Sequence, residues 1–407
     1  MSTSSTVRLA WKLAASEKGT VVRLRRELHR YPEIGREEVR TSRFVAETLG
    51  RAGIEVCRPR NSTGVIGRLM PEDSAARKAP AIALRADMDA LPADEKTGLP
   101  FRSRIAGRAH LCGHDAHSAM LLAAAQALSR ERRRLSRPVV FIFQPAEEQV
   151  PGGARTMIEA GAMEGVGEVY GLHVSPDRPV GVLVNASGVM MAAMDRFEMT
   201  ILGRGGHGGM PQNTRDPVVA AAAVVIALQT VVSRRVSPTD ACVVSVCTID
   251  APGTFNVIPD QVRLTGTCRS LSSHVHAALP ALVREIAAGV ARSHGCRLRL
   301  RYTRGTPVLA NAPAAVAKVR ALWAALTRGA EGGVADAAPI MGSEDFAFYL
   351  ERVPGAFSFL GAGPGRGSGA PLHSPRFTLN ERALPLGVAL HIALALAPAR
   401  RLTLEHT

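Results

Sequence analysis

The residues able to do chemistry gather at the ends of apolar runs. Ala81 to Leu84 leads to Asp87 and Asp89, Val139 to Phe143 to Glu147 and Glu148, and Val169 to Leu172 to His173. Short apolar runs between helix-like segments read as buried strands. In an open α/β sheet the ligand crevice lies beyond the carboxyl ends of the strands, so three distant segments can deliver carboxylates and an imidazole to one place. Cys112-Gly113-His114-Asp115 precedes an Ala- and Leu-rich helical stretch, and its glycine lets the backbone bring a thiolate and an imidazole to one point. Alone, this tetrapeptide reads as a buried cysteine beside a capping Asp115; in company with the strand-end carboxylates and His173 it reads as a metal site. Thiolate, imidazole and carboxylate together suit a borderline divalent ion such as Zn, Mn, Co or Ni rather than Ca or Mg. His117, one helical turn from His114, is expected behind the ligands or at the surface. Consecutive Glu147 and Glu148 point in different directions, so one can hold metal while its neighbour takes a proton from water.

These residues need a scaffold. From Val21 to Leu49 apolar residues recur at helical spacing, broken at Tyr31-Pro32, and thereafter strand-like and helix-like segments alternate. Near Ser187 the pattern changes. Strands over 194–202, 241–249, 261–269 and 297–302, with helices over 216–232 and 276–292, give the order β-α-β-β-α-β, a split βαβ arrangement. After Thr306 come a helix, an apolar strand over 356–360, a glycine loop and a final helix. The expectation is an α/β catalytic domain, a mixed sheet between helices, built from residues 1–188 and 305–407. A smaller α+β domain over 189–304 is inserted into it.

The 407 residues carry a formal charge of +15 and are 46% hydrophobic but only 4% aromatic. The excess charge is nearly all arginine. Arg132, Arg133 and Arg134 fall near the end of a helical stretch, where cations suit the dipole, and Arg297, Arg299 and Arg301 alternate along a strand as one solvated face. With stacking aromatics scarce, neither cluster resembles a nucleic-acid groove. No window holds the ~18 consecutive apolar residues of a membrane helix, so no membrane partner and a cytoplasmic location are expected. The six cysteines show no CxxC and read as reduced thiols.

A larger pattern joins these motifs. Leu28-His29-Arg30-Tyr31-Pro32-Glu33, Asp87-Met88-Asp89, Cys112-Gly113-His114-Asp115, Gln144-Pro145-Ala146-Glu147-Glu148, Gly171-Leu172-His173, Gly205-Gly206-His207-Gly208, Asn256-Val257-Ile258-Pro259-Asp260, Met341-Gly342-Ser343-Glu344-Asp345-Phe346 and Leu372-His373-Ser374-Pro375 occur in that order. The set resembles the M20 metallopeptidases, in the branch of amidohydrolases that includes hippurate hydrolase, N-acyl-amino-acid hydrolases and auxin-conjugate hydrolases. The resemblance implies that Cys112, His114, Glu148, His173 and His373 hold two divalent ions and that Glu147 is general base and acid. Asp89 takes the position that orients a metal-binding histidine, with Asp87 standing where that histidine would be. The inserted domain is then a lid and dimerisation domain supplying His207 to the substrate carbonyl, with Asn256 and Arg269 contacting substrate and Arg269 taking its carboxylate. A small-molecule substrate and a homodimer formed through the lid follow from the same resemblance. The implied reaction is hydrolysis of the amide of an N-acyl amino acid or similar conjugate, with a dipeptidase or a catalytically silent binding module as alternatives. Gln212 and Asn380 depart from the family pattern, where a histidine and an aspartate are usual.

Overall fold

The computed structural model describes residues 3–328, 333–363 and 369–398. Residues 364–368 of the expected glycine loop lie outside the described residues. The chain divides into a larger unit of residues 1–188, 310–338 and 345–407 and a smaller one of Val189–Leu309 with Pro339–Glu344. Two boundaries therefore differ from the sequence expectation: the insertion runs on to Leu309, and a short later segment joins it. Backbone bonds tie that segment in, from Ala192 N–H to the carbonyls of Ile340 and Gly342.

The larger unit is built on an eight-stranded mixed sheet in the order Glu55–Cys57, Val65–Leu69, Val139–Gln144, Ala81–Asp87, Val166–Ser175, Gly355–Gly361, Val182–Asn185, Gly333–Asp336. Strands Val139–Gln144, Ala81–Asp87, Val166–Ser175 and Gly355–Gly361 run parallel to their neighbours in this series. Ala81–Asp87 and Val139–Gln144 are buried at every residue, as parallel strands covered on both faces must be. Pairing of Asp87 with Gln144 and of Arg85 with Gly171 brings the carboxyl ends of three strands level. That alignment turns three distant sequence motifs into one site.

Gly113, at φ 93, lies in the left-handed region and starts the helix His114–Ser129. A Cβ there would also run into Val174, so the position requires glycine twice over. The helix is buried all round, against the helices Lys18–Arg30 and Leu384–Leu396 and the strand Ala81–Asp87. A polar residue on it is therefore interior, and His117 is 1% exposed, neither at the surface nor free of partners. Arg132–Arg134 form a separate 3-10 turn after the helix ends, so they do not cap its dipole as expected. The N-terminal helix Thr3–Ser16 has no counterpart in the sequence reading.

The first helical turn is anchored from behind. Buried Asp115 accepts from Arg25 Nε at 3.0 Å and lies 2.8 Å from His29 Nδ1. Burial opposes the charge on His29, but Asp115 and Glu95 outweigh burial and raise the imidazole to about 9. A histidine raised on folding contributes stability that is complete below its ordinary 6.5 and is lost as pH rises through about 9. The His29→Gln variant should therefore lose stability at pH 6 and show a flatter fall of unfolding free energy between about 6.5 and about 9. Parallel wild-type and variant pH profiles in urea melts would remove this assignment.

The smaller unit has a four-stranded antiparallel sheet in the order Cys242–Asp250, Gln261–Ser270, Ala193–Leu202, Arg297–Thr306. Strand Ala193–Leu202 alternates, with Phe197, Met199 and Ile201 packed among Val224, Leu228, Leu279 and Val283 of the helices Pro217–Thr230 and Ser273–Ser293. Asp216 caps the first helix through the N–H groups of Val218 and Val219, and Ser272 caps the second, three residues earlier than expected. Arg297, Arg299 and Arg301 are exposed on the open sheet face. The stretch Pro217–Arg235 is long and apolar enough to cross a membrane by length and composition, although Gln229, Thr230 and Ser233 interrupt it. Ala220, Ala221, Val224 and Leu228 of it are buried in this unit's own core, while Val218, Val219 and Ile226 are exposed.

Candidate metal centre

The structure brings Cys112, His114, Glu147, Glu148, His173 and His373 together. Three sets of their donor atoms lie within 4.8 Å of one another: Cys112 with His114 and His173, Cys112 with Glu148 and His373, and His114 with both glutamates. Cys112 thus belongs to two of the sets.

Each histidine is turned so that one nitrogen faces the cluster. His173 Nδ1 donates to the Val174 carbonyl at 2.7 Å, leaving Nε2 bare at 3.4 Å from Cys112 Sγ. Burial holds His173 well below its ordinary value, so the ring is neutral, the form that ligates. His114 Nδ1 faces Asp89 Oδ1 at 3.3 Å, which leaves its Nε2 toward Glu148 Oε1 at 3.9 Å. His373 Nε2 lies 3.0 Å from the same Glu148 oxygen.

Asp89 also holds the acid loop. Its two oxygens accept from Glu147 N–H at 3.1 Å and Glu148 N–H at 3.0 Å. The preceding N–H, of Ala146, goes to buried Glu38 at 2.8 Å. Burial pushes the Glu38 carboxyl up to about 7 against the pull of Thr63. Ala146 at φ 53 and His373 at φ 66 both adopt left-handed backbone, a conformation that persists in non-glycine residues only where surroundings enforce it. Asp87 is placed differently from the other strand-end acids: Arg85 Nη1 donates to one oxygen at 2.7 Å and His117 Nδ1 lies 2.6 Å from the other. Arg85 also reaches Gln144 and Asp345, so this buried guanidinium compensates two buried carboxylates. Glu38, Gln144 and Asp345 carry no role in the sequence reading, Gln144 and Asp345 standing inside motifs without one, and His117 takes the place behind the ligands that was one of its two expected places.

The donor set fits divalent ions. His114 Nε2 is buried without a hydrogen bond, a costly state unless a cation satisfies it. Burial pushes the Cys112 thiol up, against the pull of His114, so a cation beside it is what would favour the thiolate. The 3.4 Å between Cys112 Sγ and His173 Nε2 matches the edge of about 3.5 Å that tetrahedral zinc with ordinary Zn–S and Zn–N bonds would have.

Of the remaining site candidates, His207 and Asn256 meet in the smaller unit. His207 pairs with Val257 in a two-stranded ladder, and Gly208 N–H donates to the Asn256 carbonyl at 2.8 Å. His207 is exposed, and its Nδ1 accepts from Gly209 N–H at 3.0 Å. The neutral ring accordingly carries its proton on Nε2. Arg269, partly buried, donates from Nη1 to Ser343 Oγ at 3.1 Å, and among the described residues no carboxylate pairs with it.

A sequence profile described as Peptidase family M20/M25/M40 matches residues 83–397. The chain belongs to this family. An N-acetylcysteine deacetylase of Bacillus subtilis is 38% identical over 92% of this chain and 96% of its own length. The IAA-amino acid hydrolase ILR1-like 2 of Arabidopsis thaliana is 40% identical over 92% and 84%. Among solved structures, the Bacillus subtilis YXEP protein, described as a dinuclear metal binding peptidase from the M20 family, is 34% identical, covers 94% of this chain and 98% of its own, and superposes with a TM-score of 0.78. This M20 chain is a metal-dependent amidohydrolase, and its donor groups, with that dinuclear neighbour, support two divalent ions.

Proposed function

We propose that the chain hydrolyses the amide bond of N-acyl amino acids or similar small conjugates. The observation that carries the reading is the position of Glu147: it stands within the donor cluster, beside Glu148, held by its own N–H on Asp89. Two divalent ions, when bound by Cys112, His114, Glu148, His173 and His373, supply Lewis acidity to the scissile carbonyl and lower the pKa of water toward ~7. Glu147 takes the proton of the attacking water and returns it to the leaving nitrogen. Asp89 fixes His114 and the loop that carries Glu147. The Nε2 proton of His207 is the donor for the oxyanion that develops on the carbonyl. Asn256, whose carbonyl accepts from Gly208 N–H beside the His207 ladder, contacts the substrate amide or carboxylate.

Arg269 supports an acidic leaving group. With Nη1 on a hydroxyl and no carboxylate partner among the described residues, its remaining N–H groups suit the two-point grip of a substrate carboxylate, which lysine cannot reproduce. A charged hydrogen-bonded pair of this kind is worth about 10- to 100-fold. An N-acyl amino acid should therefore be cleaved with a kcat/KM about that much above its C-terminal amide, and Arg269→Lys should erase most of the difference. Equal rates on acid and amide with the wild-type enzyme would remove the carboxylate from the reading. Faster turnover of free dipeptides in the same panel would make it a dipeptidase.

A homodimer through the smaller unit belongs to the same proposal. Val218, Val219 and Ile226, exposed on one helix, and Ile249, exposed on the sheet's edge strand, support it as apolar side chains that a second copy would cover. Sedimentation of the wild type as a dimer and of Val219→Glu/Ile226→Glu as a monomer is expected; a monomeric wild type at micromolar concentration would refute this part.

A further inference from the structure

His117 lies close enough to Asp87 and His114 for the three to hold an ion. Its bonding excludes that use. Nε2 accepts the Val174 N–H at 2.9 Å, and since a backbone amide only donates, that nitrogen is bare and the ring proton sits on Nδ1, directed at Asp87 Oδ1 2.6 Å away. No lone pair is left on His117 for a cation. Asp87 is fixed in turn by Arg85 at 2.7 Å and, through its carbonyl, by Ser118 Oγ at 2.6 Å.

The acceptor side of this chain ends on the residue whose backbone also holds a proposed ligand. Val174 gives its N–H to His117, and its carbonyl receives the Nδ1 proton of His173. The two imidazoles lie with centroids 4.4 Å apart and planes at 58°, and both are buried. We propose that His117 is a positioning residue for His173: it fixes the backbone of Val174 by its N–H, and the carbonyl of that same residue sets the tautomer and aim of the His173 ring toward Cys112. Outer partners of metal-binding histidines commonly act in this way, and their loss costs about 10- to 100-fold in metal affinity. The inference rests on Cys112, His114 and His173 holding an ion.

Two replacements separate positioning from packing. Glutamine at 117 puts an amide oxygen near the place of Nε2 and can still accept from Val174, while asparagine keeps a donor near Nδ1 for Asp87 and loses Val174. Metal-free wild type, His117→Gln and His117→Asn would be titrated with Co(II), following the thiolate-to-cobalt absorption band, alongside thermal midpoints of the same metal-free proteins. His117→Gln is expected to bind Co(II) within ~3-fold of wild type and His117→Asn about 10- to 100-fold more weakly, with the order of affinities independent of the midpoints. Equal affinities in the two variants, whether both normal or both weakened, would overturn the role of His117. Absence of a cobalt band in the wild type would instead overturn the ion site beneath it.

Discussion

Replacing Glu147 by glutamine should leave metal content and thermal midpoint at wild-type values while turnover falls by about 10²- to 10⁴-fold, the usual contribution of a general base. The amide is nearly isosteric, but its nitrogen carries no lone pair for a proton and its oxygen is a feeble base. The loop itself should stay in place, because its anchors are backbone N–H groups on Asp89 and Glu38 that the substitution does not touch. Glu148→Ala is the contrasting variant. It removes the oxygen that faces both His114 and His373, so metal content and turnover should fall together. Single-turnover rates with metal analysis on the same samples distinguish the two. Near-normal turnover in Glu147→Gln would move the base role to another carboxylate.

Cys112→Ala should have the widest effect on the ions themselves. Its sulfur lies in two donor sets, one with His114 and His173 and one with Glu148 and His373, so its loss takes a ligand from both. Metal affinity should drop by on the order of 10²-fold or more, beyond what loss of an outer partner alone costs, and activity at micromolar metal should be lost with it. Cys112→Asp, which restores an anionic ligand, should recover part of the binding. Metal binding and activity retained in Cys112→Ala would exclude the thiolate from the centre.

The strand-end acids were readable in the sequence because each follows an apolar run, and the parallel register then levels Asp87 with Gln144. The split βαβ order of the inserted unit was readable for a similar reason: strand Ala193–Leu202 alternates buried and partly exposed residues. For His117 the sequence left a place behind the ligands and one at the surface both open, because the helix His114–Ser129 is buried on every face and has no polar side by which to tell an inward histidine from an outward one. Pairings across long separations left no local trace. Arg25 with Asp115, Arg85 with Asp345 and Glu38 with Ala146 N–H become neighbours only when the sheet and helices assemble. The end of the inserted unit was missed on the same ground, since the backbone bonds that join Pro339–Glu344 to Ala192 reach from Ala192 to Ile340 and Gly342, far beyond any local pattern.

The decisive measurement is a titration of exhaustively chelated enzyme with Zn, Mn, Co or Ni, recording bound ions per chain and hydrolysis of an N-acyl amino acid at each step. Without metal the rate should be at background, and activity should rise to a plateau as the second equivalent binds, with two ions per chain at saturation, ~3.5–4 Å apart as in other two-metal sites. Full hydrolysis by the chelated protein, or a plateau reached with no ion bound, would contradict metal-dependent catalysis at the cluster of Cys112, His114, Glu148, His173 and His373.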